Sequence, residues 1–145
     1  MFKYLKIGEG ITLDTVLLVS GGLAGFFFGG WHQTLTILLV IQGLDVFTGI
    51  LVGIKDKRVS STLMRKGLVK KVGIWILIVF THMIDLLLFQ GQMVTQSAVL
   101  FAFIAQEGLS LAENLGNIGV IVPPNVTQYL AQVKNKGESD NSNKG

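Results

Sequence analysis

The sequence predicts an all-α integral membrane protein with about four transmembrane helices, both termini cytoplasmic, oligomerising, and with a basic interfacial segment on its cytoplasmic side. Three observations predict it. Half of the 145 residues are hydrophobic and only 14% are charged, against roughly 25% charged in an ordinary soluble domain, and mean hydropathy is +0.57. Four apolar stretches lie near 13–30, 34–54, 72–90 and 96–116, and about 20 residues of helix cross a hydrocarbon core about 30 Å thick. All twelve Lys and Arg fall in three segments that four spans starting inside place on one face of the membrane, which satisfies the positive-inside rule.

The first span follows Lys3 and Lys6. That arrangement resembles a signal peptide, but no Ala-x-Ala-like cleavage site follows it and three further spans do. Gly21, Gly25 and Gly29 repeat every four residues and leave a flat strip for close approach of another helix, from the same chain or a second copy; Gly49 and Gly53 repeat the spacing in the second span. Gly29-Gly30-Trp31-His32-Gln33 makes the first turn, with Trp31 suited to the membrane interface.

The second span carries Asp45 near its midpoint, and the fourth carries Glu107 near its own. A central acid opposes insertion by about 2.5–3.5 kcal/mol, while each Leu, Ile, Val or Phe favours it by roughly 0.3–0.6. The thirteen such residues between Thr34 and Ile54 therefore carry Asp45 into the bilayer. Ionisation in lipid is another matter. With no Lys or Arg expected inside a span, the acids are expected either protonated and hydrogen-bonded to another helix or facing water in a lumen. Gln42, Asp45 and Gly49 share one helix face, as do Gln106, Ser110 and Glu113 or Asn114. His82 and Asp85, three apart on the third span, are placed to pair. These polar groups either line a lumen or bridge helices in a static bundle.

Between the second and third spans, residues 55–71 hold Lys55, Lys57, Arg58, Arg65, Lys66, Lys70 and Lys71. With Val59, Leu63, Leu68 and Val72 at roughly helical spacing, this basic segment reads as an interfacial helix on anionic headgroups or as a solvated loop that holds topology. Gln90-Gly91-Gln92 marks the next turn, and Pro123-Pro124 is expected to prevent further helix after the fourth span. The organisation expected is a single membrane domain over 1–125 and a cytoplasmic tail over 126–145, disordered from about 134, where no apolar residue remains.

The composition also excludes. Without cysteine there is no disulfide, thiol nucleophile or thiolate metal site, and His32 and His82 alone do not build a metal centre; no cofactor is expected. The basic residues are not interleaved with aromatics, so the net charge of +3 points to a membrane surface rather than to nucleic acid. Ser110, His82 and Asp85 have the letters of a hydrolase triad, but Ser110 lacks a nucleophile-elbow context. No enzyme is expected.

As a set, these polar residues resemble the phage holin family, which includes clostridial toxin-secretion holins. The resemblance rests on "DVFTGILVGIKDKRVSSTLMRKGLVKKVG" from Asp45, "HMIDLLL" around Asp85 and "EGLSLAENLGNIGVIVPP" from Glu107. It implies a small phage or prophage protein of the host cytoplasmic membrane that assembles into homo-oligomers and opens a lesion for an endolysin or a toxin. It names no catalytic residue. The alternative from the residues alone is a small proton- or cation-conducting channel or transporter, with a non-conducting membrane scaffold as a third reading.

Overall fold

The computed structural model describes residues 12–142; Lys3, Lys6 and Lys144 lie outside them. Among the described residues the chain forms five α-helices: α1 (Leu13–Phe28), α2 (Gln33–Lys55), α3 (Ser61–Leu88), α4 (Thr95–Asn117) and α5 (Pro124–Ser142). Each begins and ends for a local reason. Thr12 caps α1, its hydroxyl accepting from the Thr15 amide, and Asp14 in the first turn complements the helix dipole. Gly29 closes α1 in the left-handed conformation at φ 73°, so it ends the helix rather than extending the glycine strip. A side chain at Gly29 would also press its Cβ to 2.7 Å from Cε1 of His82.

Helix α3 departs most from expectation. It begins at Ser61, not near residue 72, because Leu, Met, Arg and Lys are strong helix formers whether or not lipid accepts them. The basic segment is therefore mostly helix, joined to α2 by residues 56–60 alone. The expectation that Pro123-Pro124 allows no further helix is not met: α4 has already ended at Asn117, with Gly119 at φ 98°, and Pro124 occupies the first position of α5, where its missing N–H is no loss. Helix α5 runs on through residue 134 to Ser142, where the polar composition leads one to expect disorder, and it packs along α4.

Helix α4 is the hub, touching α2, α3 and α5, while α1 leans on α3. Leu35 and Leu38 of α2, Ile74 and Ile78 of α3 and Leu100 of α4 form the buried core. Phe28 and Trp75 cross edge to face, and Trp31 stacks on Trp75 with ring centroids 6.2 Å apart. Large apolar side chains also cover the outside, among them Leu18, Phe26, Phe47, Phe80 and Leu87, a surface suited to lipid. Helices α2 and α3 are long and apolar enough to cross a membrane; α1 is apolar but has 16 residues, about 24 Å at 1.5 Å per residue. Helix α4 has the length but interrupts its apolar run with Gln96, Gln106, Glu107, Glu113 and Asn114.

Candidate functional site

Three helices each contribute one charged side chain to a single point. Asp45 precedes Lys55 at the end of α2 by ten residues, Lys71 follows Ser61 at the start of α3 by ten, and Glu107 precedes Asn117 at the end of α4 by ten. With short connections between antiparallel helices, all three stand about 15 Å along the helix axes from the same end of the bundle. The Lys55 ammonium donates to the Asn117 carbonyl and ties that end together.

The Lys71 ammonium lies between the two acids, donating to Oδ2 of Asp45 at 2.9 Å and to Oε2 of Glu107. Asn114, two turns along α4 from Glu107, donates from Nδ2 to Oδ1 of Asp45 at 3.0 Å and to its carbonyl at 3.3 Å. The Thr48 hydroxyl folds back on the Leu44 and Asp45 carbonyls. Glu107 is 4% exposed, and the side chains of Lys71 and Asp45 are 13% and 12% exposed. Beside the triad is a polar cavity of about 210 Å³, lined also by Lys70, Gln106 and Ser110. Two carboxylates thus share one ammonium, and the Lys70 side chain lines the cavity beside them.

This arrangement corrects the expectation that the acids have no cation. Helix α3 supplies one, because it begins at Ser61 and its Lys71 faces inward. Its helical register held the signal. Lys71, Ile74, Ile78, His82 and Asp85 recur three or four apart, and all but Lys71 are fully buried, so Lys71 lies on the same face. Of the basic residues expected at the membrane surface, Arg65, Lys66 and Lys70 are exposed, whereas Lys71 is turned to the acids. The structure thus gathers Asp45, Gln106, Glu107 and Ser110 and adds Lys71 and Asn114. Gln42 instead accepts from Trp75 Nε1 at 2.9 Å, and Glu113 is exposed.

Nearer the other end, the expected pairing of His82 with Asp85 does not form. The Asp85 carboxylate accepts from the backbone amides of Thr95 and Gln96, both at 2.8 Å. Those first amides of α4 lack partners within the helix and mark its positive dipole end, so a buried carboxylate binds them better than an imidazole does. His82 packs against Gly29 instead. Gln96 Nε2 donates to the Phe28 carbonyl at 3.2 Å, joining α4 to α1. Among the described residues no three His, Cys, Asp or Glu side chains are grouped to hold a metal ion.

The glycines expected to mediate helix packing divide. Gly49 lies beside Asn114, where an added Cβ would be 3.6 Å from Nδ2, and Gly53 lies beside Val59. Among the described residues nothing lies within 4 Å of a Cβ added at Gly21 or Gly25, so no described helix covers their strip.

Residues 22–135 match the model of the bacteriophage holin family. Among similar proteins, the "Probable holin" of Bacillus phage phi105 is 33% identical over 122 residues, 84% of this chain and 87% of the relative. An uncharacterized 14.9 kDa protein of Clostridium perfringens is 34% identical over 136 residues, 94% of this chain and 97% of the relative. The uncharacterized protein YqxH of Bacillus subtilis is 36% identical over 118 residues, 81% of this chain and 83% of the relative. No solved structure matches the chain. With a match that takes in the acids, the lysine between them and the helices that carry all three, this chain belongs to the bacteriophage holin family.

Proposed function

We propose that the chain acts as a holin. It accumulates in a bacterial cytoplasmic membrane as a multi-pass protein with both termini inside, gathers into homo-oligomers and opens a lesion through which an endolysin, or in a toxin-secreting host a toxin, leaves the cell. The observation that carries the reading is the buried triad: two carboxylates, Asp45 and Glu107, on one ammonium, Lys71. Taking each ion out of water is unfavourable by several kcal/mol, and attraction offsets this only where charges balance. Within the triad one ammonium serves two acids, which disfavours the closed arrangement at this point, and contact with water relieves it. Assembly supplies that water when the cavities beside Gln106 and Ser110 in neighbouring copies join into a lumen. The open strip at Gly21 and Gly25 and the apolar faces around it are where copies meet.

The test is timed lysis. The chain is induced in a bacterium holding a cytoplasmic reporter enzyme, and membrane potential and enzyme release are followed together. Asp45→Asn and Glu107→Gln each balance the triad and delay release; Lys71→Met leaves two unpaired acids and advances it. Equal onset in all three variants, with equal amounts in the membrane, sinks the proposal. The same titratable triad also suits a small proton or cation conductor, and that reading predicts loss of potential with the reporter enzyme retained.

A further inference from the structure

The polar cavity has an apolar neighbour that the lysis mechanism does not use. Helices α2 and α3 both pack on α4, and between them, toward the end that holds Lys55 and Ser61, lies an open groove of about 610 Å³. Val46, Ile50, Leu63, Met64 and Leu68 make its walls. Arg58 and Arg65 line it toward that end, with Asp56 beside them, and among the described residues neither arginine makes an ion pair. The Asp45–Lys71 pair forms the deep end, where each charge already has its partner.

We infer that this groove is a binding site for one anionic membrane phospholipid, its phosphate held by Arg58 and Arg65 and one acyl chain lying between α2 and α3. Three features select this occupant. The first is depth: Asp56, which caps the end of α2, is eleven residues from Asp45, about 16 Å at the helical rise, which is one leaflet of a hydrocarbon core about 30 Å thick. The second is lining: between the charged mouth and the Asp45–Lys71 pair the walls are the apolar side chains of Val46, Ile50, Leu63, Met64 and Leu68, which suit an acyl chain. The third is charge, since the three ionic side chains at the mouth sum to a positive charge that complements a phosphate. Such a lipid would lie against the outer wall of the triad and keep α2 and α3 apart while the bundle is closed.

The inference rests on the membrane reading above, and one experiment separates the two. The full chain is reconstituted in phosphatidylcholine vesicles doped with spin-labelled phosphatidylglycerol or spin-labelled phosphatidylcholine; flotation measures insertion and the immobilised spectral component measures bound lipid. Wild type prefers phosphatidylglycerol, and Arg58→Gln and Arg65→Gln each reduce that preference by about fivefold, the usual effect of one cation on anionic lipid. Lys66→Gln, whose side chain lies outside the groove lining, leaves the immobilised component in place. Gly67→Leu, at a lining position with nothing within 4 Å of an added Cβ, fills the groove and removes immobilisation of both lipids. An equal effect of Lys66→Gln, an unchanged Gly67→Leu, or a Met64→Cys cross-link to a second copy overturns the site alone. A wild-type chain that does not float with the vesicles overturns the membrane reading and the site together.

Discussion

Asp85 and Asp45 are both buried carboxylates on long apolar helices, and they do opposite work. Asp85 is fully buried and accepts from two backbone amides at the start of α4. Backbone amides at a helix terminus cannot rotate away, and they bring a positive dipole without a competing ion. Asp45 depends on the tip of a lysine that it shares with Glu107, and on the Asn114 amide. Four rotatable bonds separate that ammonium from its backbone, and its single charge faces two acids. The difference teaches what a buried acid needs in order to be structural: partners fixed in the main chain and a local charge that sums to something the protein itself supplies. By that measure Asp85 fastens the fold, and Asp45 sits in the part of it whose partners are side chains.

The largest effect that would break this comparison is at Asp85. Asp85→Ala leaves two buried amides of α4 without acceptors and removes two charge-assisted hydrogen bonds, a loss of roughly 3–5 kcal/mol. The expected result is a chain that fails to accumulate in the membrane fraction and unfolds at lower denaturant in detergent. Asp85→Asn keeps one good acceptor and falls between. Should Asp85→Ala unfold within about 1 kcal/mol of wild type, the carboxylate is no fastening.

Lys71 comes next. Lys71→Met strips the cation from two buried acids and destabilises the bundle by about 3 kcal/mol, within the range for breaking a buried ion pair. Lys71→Arg keeps the charge and presents a fork of donors to both carboxylates, so it stays within about 1 kcal/mol of wild type. Denaturant unfolding in detergent measures both. If Met and Arg behave alike, the ammonium is not what holds Asp45 and Glu107 together.

How far the sequence told this in advance follows from the same contrast. Hydropathy placed spans near 34–54 and 96–116, against helices at Gln33–Lys55 and Thr95–Asn117, because apolar runs flanked by turn residues are a local signal. It missed eleven residues of α3, from Ser61 to Lys71, because hydropathy reports where lipid is tolerated and helix propensity reports where the backbone coils, and the two part company in a run of Lys, Arg, Leu and Met. The acids were legible as anomalies. Their partner was less so: Lys71 is 26 residues from Asp45 and 36 from Glu107, and only the register it shares with Ile74 and Ile78 pointed inward. The capping of α4 by Asp85 was not legible at all, since main-chain amides have no letter in the sequence.

A smaller effect is expected where α5 meets α4. A Cβ at Gly108, next to Glu107, would stand 2.8 Å from Cδ2 of Leu130. Gly108→Ala therefore pushes the Leu130 side chain aside, at about 1–2 kcal/mol of local stability, and exposes α5 to protease sooner than wild type. Leu130→Ala in the same chain removes the clash, so the double variant loses less than the two single changes summed. Strict additivity would mean that α5 and α4 are not coupled through this contact.

The smallest effect belongs to the turn between α1 and α2, and it is a matter of pH. His32 sits at the N-cap of α2 with no capping hydrogen bond from its side chain, and both of its ring nitrogens, like Nδ1 of buried His82, lack a hydrogen-bond partner among the described residues. Burial first, and the neighbouring His82 second, hold the His32 imidazole below the ordinary histidine range. In the unfolded chain the same ring takes up its proton near pH 6.5. Between that value and the lower folded one, the unfolded state binds more protons than the folded state, so stability is full above about pH 6.5 and falls as the pH drops through that window. Trp31 and Trp75 stack directly beside this turn and report it: lowering the pH from neutral to about 5.5 should unstack them and change their fluorescence. His32→Gln, which cannot be charged, should remove the response while leaving Asp85 and the triad untouched. A fluorescence change that survives His32→Gln would move the pH sensitivity elsewhere, and with it the claim that this end of the bundle is fastened by main-chain partners and only trimmed by its histidines.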